Sequence, residues 1–360
     1  MKMKKILALG MAMTMALSLS ACGGSSSAAK SEAPASSAAS AVESEATASS
    51  AAESSAASSA AAAADGQTYT VGICQLVQHP ALDAATQGFK DALTEKLGDS
   101  VTFDEQNAAG DSATCSTICN QFVSSNYDLI MANATPALQA AVSATSDIPI
   151  LGTSVTDYAT ALDIKDWAGS TGINVSGTSD LAPLDQQAEI IKTLFPEAKN
   201  VGILYCSAEA NSKYQATVIT EALTGMGYTV KEYTFADSND VAQVTQSACG
   251  ENEVLYIPTD NTAASCTEAI DNVAAPAGIP IVCGEEGICK GCGVATLSIS
   301  YYDLGVATAE MAYEVLVNGA DVSTMDVQFA PNVTYEYVAE RCEALNITVP
   351  EDYTAISTEE

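Results

Sequence analysis

Two stretches of the chain place polar side chains where a buried strand should end. In "VLYIPTDNTAAS" (254–265) an apolar run stops at Thr259, Asp260 and Asn261. In "LIMANATPALQA" (129–140) it stops at Asn133 and Thr135, and Pro136 follows in a favoured first-turn helix position. Each is followed by a second apolar run, "DIPILGTS" (147–154) and "GIPIVCGE" (278–285), so one supersecondary unit is used twice. Hydroxyl, amide and carboxylate groups at such ends can hold a small polar ligand, or can cap the helices that follow.

The elements that must carry these groups alternate. From about Thr68, β-rich runs ("YTVGICQL", "VTFDEQN", "YDLIMAN") are separated by stretches of helical length. Over 80–97, Leu82, Ala85, Phe89, Leu93 and Leu97 fall at helical spacing. A second series follows "STGINVSGTSDLAP" (170–183): "NVGILYC", helix 211–226, "YTVKEYTF", helix 239–249, "EVLYIPT", helix 261–275 and "IPIVCG". Such alternation implies parallel sheets with helices on both faces. The expected fold is α/β, with two Rossmann-like lobes joined by crossover hinges. The first lobe is 67–175 with 299–323, and the second is 176–298 with 324–360. Ligands of such sheets lie beyond the carboxyl ends of the strands, so both polar sets should line one cleft between the lobes.

The N-terminus carries a different message. Lys2, Lys4 and Lys5 precede an apolar run too short to span a bilayer comfortably. That run closes in "LSAC" (19–22), which resembles a bacterial lipobox; residues 1–21 then form a signal peptide and Cys22 carries lipid. Residues 22–66, nearly all Ser and Ala, have no apolar face to bury and read as a disordered tether. The expected location is the extracytoplasmic face of the cell membrane, and a long tether suits a Gram-positive surface better than a periplasm. A net charge of −32 excludes a nucleic-acid partner. Of the eleven cysteines, Cys74, Cys206 and Cys283 sit in apolar strands as small core residues. "CKGC" (289–292) has no second CxxC and the sole histidine is distant, so neither a metal site nor a cofactor is expected.

Seven segments, in order and at their expected spacing, resemble the ABC-transporter substrate-binding lipoproteins of the type I periplasmic-binding fold. Within these they resemble the subfamily associated with tryptophan and other aromatic amino acids. They are "HPALDAATQGF" (79–89), "DLIMANATPALQA" (128–140), "TGINVSGTSD" (171–180), "VGILYCSAEANS" (201–212), "YIPTDN" (256–261), "GEEG" (284–287) and "SYYDLG" (300–305). The resemblance implies a monomeric binding component that captures an aromatic or other amino acid and delivers it to a permease and its ATPase. A ligand-sensing surface lipoprotein is the alternative. An enzyme is not expected: the first strand turn lacks a Gly-rich phosphate loop, and no nucleophile–histidine arrangement is present.

The residue types suit a zwitterion. Helix starts after Ala134-Thr135 and after Asn211 offer N–H groups to a carboxylate, while Asp260 and Glu285 offer negative charge to an amine. Asp260 and Asn211 can instead be caps. Gln75, Asp83, Asn133, Thr153, Asp157, Ser212, Asn261 and Tyr302 are secondary contacts by position. His79 leads into a helix at the cleft rim, with ligand contact or a general-base role as the alternative. Gly172 and Gly177, with 298–302, are the expected hinges.

Overall fold

The computed structural model describes residues 66–330 and 332–357. The signal peptide, Cys22 and most of the tether lie outside the described residues. In chain order the first part runs β1 (Tyr69–Gln75), α1 (Pro80–Leu97), β2 (Val101–Asn107), α2 (Ser112–Ser124), β3 (Leu129–Asn133), α3 (Thr135–Ala144), β4 (Ile150–Val155), α4 (Tyr158–Ala161) and β5 (Val175–Ser179). Next come α5 (Leu184–Leu194), β6 (Asn200–Cys206), α6 (Ala210–Gly225), β7 (Thr229–Phe235), α7 (Val241–Glu251), β8 (Val254–Ile257), α8 (Asn261–Ala264) and α9 (Thr267–Ala277). The chain closes with β9 (Ile281–Cys283), α10 (Glu286–Cys292), β10 (Ala295–Ser298), α11 (Tyr301–Leu316), β11 (Gln328–Phe329), β12 (Thr334–Tyr337), α12 (Ala339–Ala344) and β13 (Thr354–Ala355).

These strands form two sheets, ordered β11-β5-β4-β3-β1-β2 and β13-β12-β10-β9-β8-β6-β7. All pairings are parallel except β10 with β12. Nearly continuous apolar strands such as Leu129–Asn133 and Val254–Ile257 are fully buried because helices cover both faces. Phe89, Leu93, Ala309 and Ala312 pack one face of the first sheet, and Cys115, Phe122 and Leu138 the other. In the second sheet, Ile191, Ile219 and Leu223 cover one face and Val241, Ile270 and Ile288 the other.

The strand partners move two boundaries. The strand 175–179 pairs with β4 and with β11, so it belongs to the first sheet and the chain crosses after Ser179, not after 175. Likewise β11 returns to the first sheet, so the last crossing follows Phe329 rather than 323. The middle crossing lies between Ser298 and Tyr301. Gly177 is a sheet residue: at φ 144° it lies against β4, and a Cβ there would stand 2.0 Å from the Gly152 carbonyl oxygen. Its role is close strand packing rather than hinge motion.

The helix expected over 261–275 is broken at Ser265 and Cys266 into α8 and α9. "CKGC" lies in α10, where Cys289 and Cys292 are buried beside Cys283. The ten cysteines from Cys74 to Cys342 are unpaired.

Candidate functional site

The carboxyl ends of both sheets meet across one cavity. It is lined by His79, Leu82, Ser154 and Asp180 from the first lobe and its crossover, by Tyr301 at the middle crossing, and by Asn211, Thr259, Asp260, Asn261, Ala264, Glu285 and Ile288 from the second lobe. Its volume is about 10 Å3, room for roughly one water. Openings of about 230 and 480 Å3 flank it. Holding a larger ligand requires the lobes to separate or side chains to move.

The strand-end residues explain the second lobe's wall. Asp260 caps α8 by accepting from the Ala263 N–H at 2.7 Å. Its other oxygen accepts from the Cys206 N–H at 2.6 Å and the Ser212 hydroxyl at 2.7 Å. One carboxylate therefore ties together the end of β6, the start of α6 and the start of α8. Burial, then repulsion from Glu209, pushes its pKa up. Glu209 is itself buried and is the hub of this wall, accepting from the side chains of Asn211, Asn261 and Thr262 at 3.1, 2.7 and 2.8 Å. Glu285 caps α10 through the Gly287 and Ile288 N–H groups. Burial pushes its pKa up to about 7.

The first lobe contributes a crossover acid. Asp180, at the end of β5, accepts from the Thr156 hydroxyl at 2.9 Å and from the Tyr301 hydroxyl at 2.9 Å. Its pKa is raised because it is desolvated. No Lys or Arg lines the cavity. Ser154 is held at φ 55°, an uncommon conformation for a residue with a side chain, and its buried hydroxyl has no partner within the protein. His79 Nδ1 and Asn211 Oδ1 are likewise buried and unpartnered.

Of the residues expected at the site, Asn211, Asp260, Asn261 and Glu285 line this cavity. Ser212 stands behind it, bonded to Asp260. Gln75, Asp83 and Asn133 instead build a network beneath α1. There the Gln75 amide donates to Asp83 at 2.6 Å and accepts from Thr86 at 2.6 Å, while Asn133 donates to the Leu82 carbonyl at 2.8 Å. Thr153 bonds Thr178, which bonds Thr308, inside the first lobe. Thr135 is buried with an unpartnered hydroxyl, away from the cavity lining. Asp157 caps α4 by accepting from the Thr160 N–H at 2.7 Å. Tyr302 is exposed and donates to Asp91 at 3.1 Å, so the cavity receives its neighbour Tyr301 instead. His79, Ser154, Asp180, Glu209 and Thr259 complete the site. For Asp180 the signal was present, a polar residue closing the apolar–polar run "INVSGTSD". For Ser154 there was none.

Comparison with known proteins identifies the architecture. The chain is 41% identical over 263 residues to a tyrosine-binding protein of Clostridioides difficile, covering 71% of this chain and 76% of that one. A domain in complex with L-Trp from Streptococcus pneumoniae superposes with a TM-score of 0.76 at 32% identity, covering 79% of this chain and 97% of that one. The ligand-free, open structure of a substrate-binding protein with adhesive properties from Clostridium difficile is nearer in sequence, at 38% identity. It superposes less well, at 0.62, over 81% of this chain and 100% of that one. The model of the ABC transporter substrate binding protein family matches residues 70–360, and the chain belongs to that family.

Proposed function

We propose that this protein captures an aromatic amino acid outside the cytoplasm, closes its lobes on it and presents it to an ABC permease. The observation that carries this reading is the convergence of buried, unpartnered polar atoms from both lobes on one cavity. Leu82, Ala264, Ile288 and the Tyr301 ring give that cavity apolar walls as well. Buried acids without a neighbouring cation suit an ammonium. The start of α6, which has no side-chain cap and whose Asn211 lines the cavity, offers N–H groups to a carboxylate. The tyrosine-binding relative and the L-Trp complex support the aromatic class. A monomer anchored by lipid on Cys22 through the Ser/Ala tether completes the reading.

A thermal-shift screen of the twenty amino acids, with sugars and nucleosides as controls, tests the ligand class. At a thousandfold excess over Kd the stabilisation is about 4 kcal/mol. A midpoint that responds to a sugar or nucleoside but to no aromatic amino acid overturns the assignment. For the anchor, Cys22→Ala should abolish detergent-phase partitioning in the host; unchanged partitioning would remove the lipid from Cys22.

A further inference from the structure

One carboxylate fixes the hydrogen-bond polarity of two cavity-lining side chains. The Asn261 amide nitrogen donates to Glu209 at 2.7 Å, and a carboxylate oxygen only accepts, so the orientation of this amide is set. Its oxygen is then the atom 3.3 Å from His79 Nε2. An amide oxygen also only accepts, so Nε2 carries the proton and a neutral His79 leaves Nδ1 bare. The Asn211 amide nitrogen donates to the same Glu209 carboxylate at 3.1 Å and to the Thr259 carbonyl at 3.0 Å, which leaves its oxygen free. Neither His79 Nδ1 nor Asn211 Oδ1 has a partner within the protein, and each residue is more than nine-tenths buried.

We propose that His79 Nδ1 and Asn211 Oδ1, one from each lobe, accept hydrogen bonds from the ligand's α-ammonium, with Asp180 and Glu285 as its counter-charges. The Glu209–Asn261 pair serves as a positioning relay that holds His79 in the Nε2–H tautomer. This rests on the amino-acid reading above and deepens it. The cavity offers bare acceptors and carboxylates, and no cation lines it. A group with several N–H donors and a positive charge satisfies both demands, and an ammonium has three donors. Bare hydroxyls and ring N–H groups bring at most one donor and no charge.

The charge state of His79 supports the assignment. Burial lowers its pKa, against the opposing pull of Asn261 and Glu209 in the second lobe and of Asp83 on its own helix. A protonated ring would turn Nδ1 into a donor and repel the ammonium, so acid should weaken binding through this residue.

His79 is the only histidine in the chain, so nitrogen-15 NMR of the untagged protein reads its ring without ambiguity. The free protein should show a neutral ring with Nε2–H between about pH 7 and 8. L-tyrosine and tyramine should move the Nδ1 resonance, and desaminotyrosine, which lacks the amine, should not. Asn261→Leu should release the tautomer to a mixture and weaken L-tyrosine binding about tenfold, the loss of about one good hydrogen bond. A ring protonated at Nδ1 in the free protein overturns the proposal. So does an Nδ1 resonance unmoved by L-tyrosine that calorimetry shows to be bound. Binding of no amino acid at all instead defeats the amino-acid reading, and the ligand half of this proposal with it.

Discussion

Replacing Asp260 by Asn separates a structural carboxylate from a ligand-facing one. Both Asp260 oxygens are occupied, one by the Ala263 N–H and the other by the Cys206 N–H and the Ser212 hydroxyl. Asparagine keeps only one oxygen. If it faces Ala263, its amine meets the Cys206 N–H; if it faces Cys206, its amine meets the Ala263 N–H. Either way one backbone donor is stranded in a buried place, at a cost of about 1–3 kcal/mol. Relief of the repulsion from Glu209 offsets part of this. Each kcal/mol lost lowers the melting midpoint by about 2–4 °C in domains of 150–250 residues. Because the carboxylate is committed to the protein, ligand affinity should change by less than tenfold, below about 1.4 kcal/mol. Thermal denaturation and calorimetry on the same preparation give both numbers. A wild-type midpoint together with a tenfold or greater loss of affinity would refute the reasoning and return Asp260 to the ligand.

Gly88 and Gly305 let α1 and α11 cross at backbone contact, where an added Cβ would stand 2.1 Å from the Tyr302 carbonyl oxygen or 2.0 Å from that of Ala85. Gly88→Ala should therefore cost at least about 1–3 kcal/mol in denaturant unfolding, and a wild-type midpoint would contradict the packing. Ligand should compact the molecule, and small-angle scattering with and without L-tyrosine checks this; an unchanged radius of gyration counts against closure. Glu285, raised to about 7, keeps its proton in the ligand-free folded protein up to about pH 7, while the unfolded chain ionises near 4.5. Its contribution is full below about pH 4.5 and is lost as pH rises through 7, up to about 3 kcal/mol. Stability of wild type minus that of Glu285→Gln, measured by denaturant from pH 5 to 8, should fall with pH; a rising difference would reverse the sign.

Strand and helix alternation was legible because both faces of each sheet are covered, which leaves long apolar strands with polar ends. The crossover positions were less so. "VSGTS" reads equally well as a linker, and only its pairing with β4 and β11, made through Gly177 at a conformation glycine tolerates, shows it to be a strand. Tyr301 and Tyr302 are consecutive at a helix start, and sequence alone does not say which of two adjacent rings turns inward. The Ser154 conformation leaves no trace in composition. Networks such as Gln75–Asp83–Thr86 are not legible in advance, because a side chain at a strand end has the same pattern whether it bonds a ligand or the next helix.

The acids show how far a motif carries. Asp260 drew attention because it stands at the end of β8, yet its oxygens hold β6 and α6 across 54 and 48 residues of chain, a contact no local pattern displays. Glu209 drew none, since "SAEANS" reads as a loop leading into a helix. Its carboxylate nevertheless orients Asn211 and, through Asn261, bears on His79. A buried carboxylate surrounded by amides determines which of their atoms remain free, and the free atoms are what a ligand meets. The acid that orients Asn211 and Asn261 stands one hydrogen bond behind these two lining side chains. Glu209→Leu, which removes the shared acceptor, should therefore disturb ligand binding more than the absence of Glu209 from the cavity lining suggests. Both Asn amides donate to the same Glu209 oxygen, so removing it leaves each free to turn and expose a donor where an acceptor stood. Loss of L-tyrosine affinity by about tenfold or more, with the fold intact by circular dichroism, is the expected result. Wild-type affinity would show that the polarity of the cleft is set elsewhere.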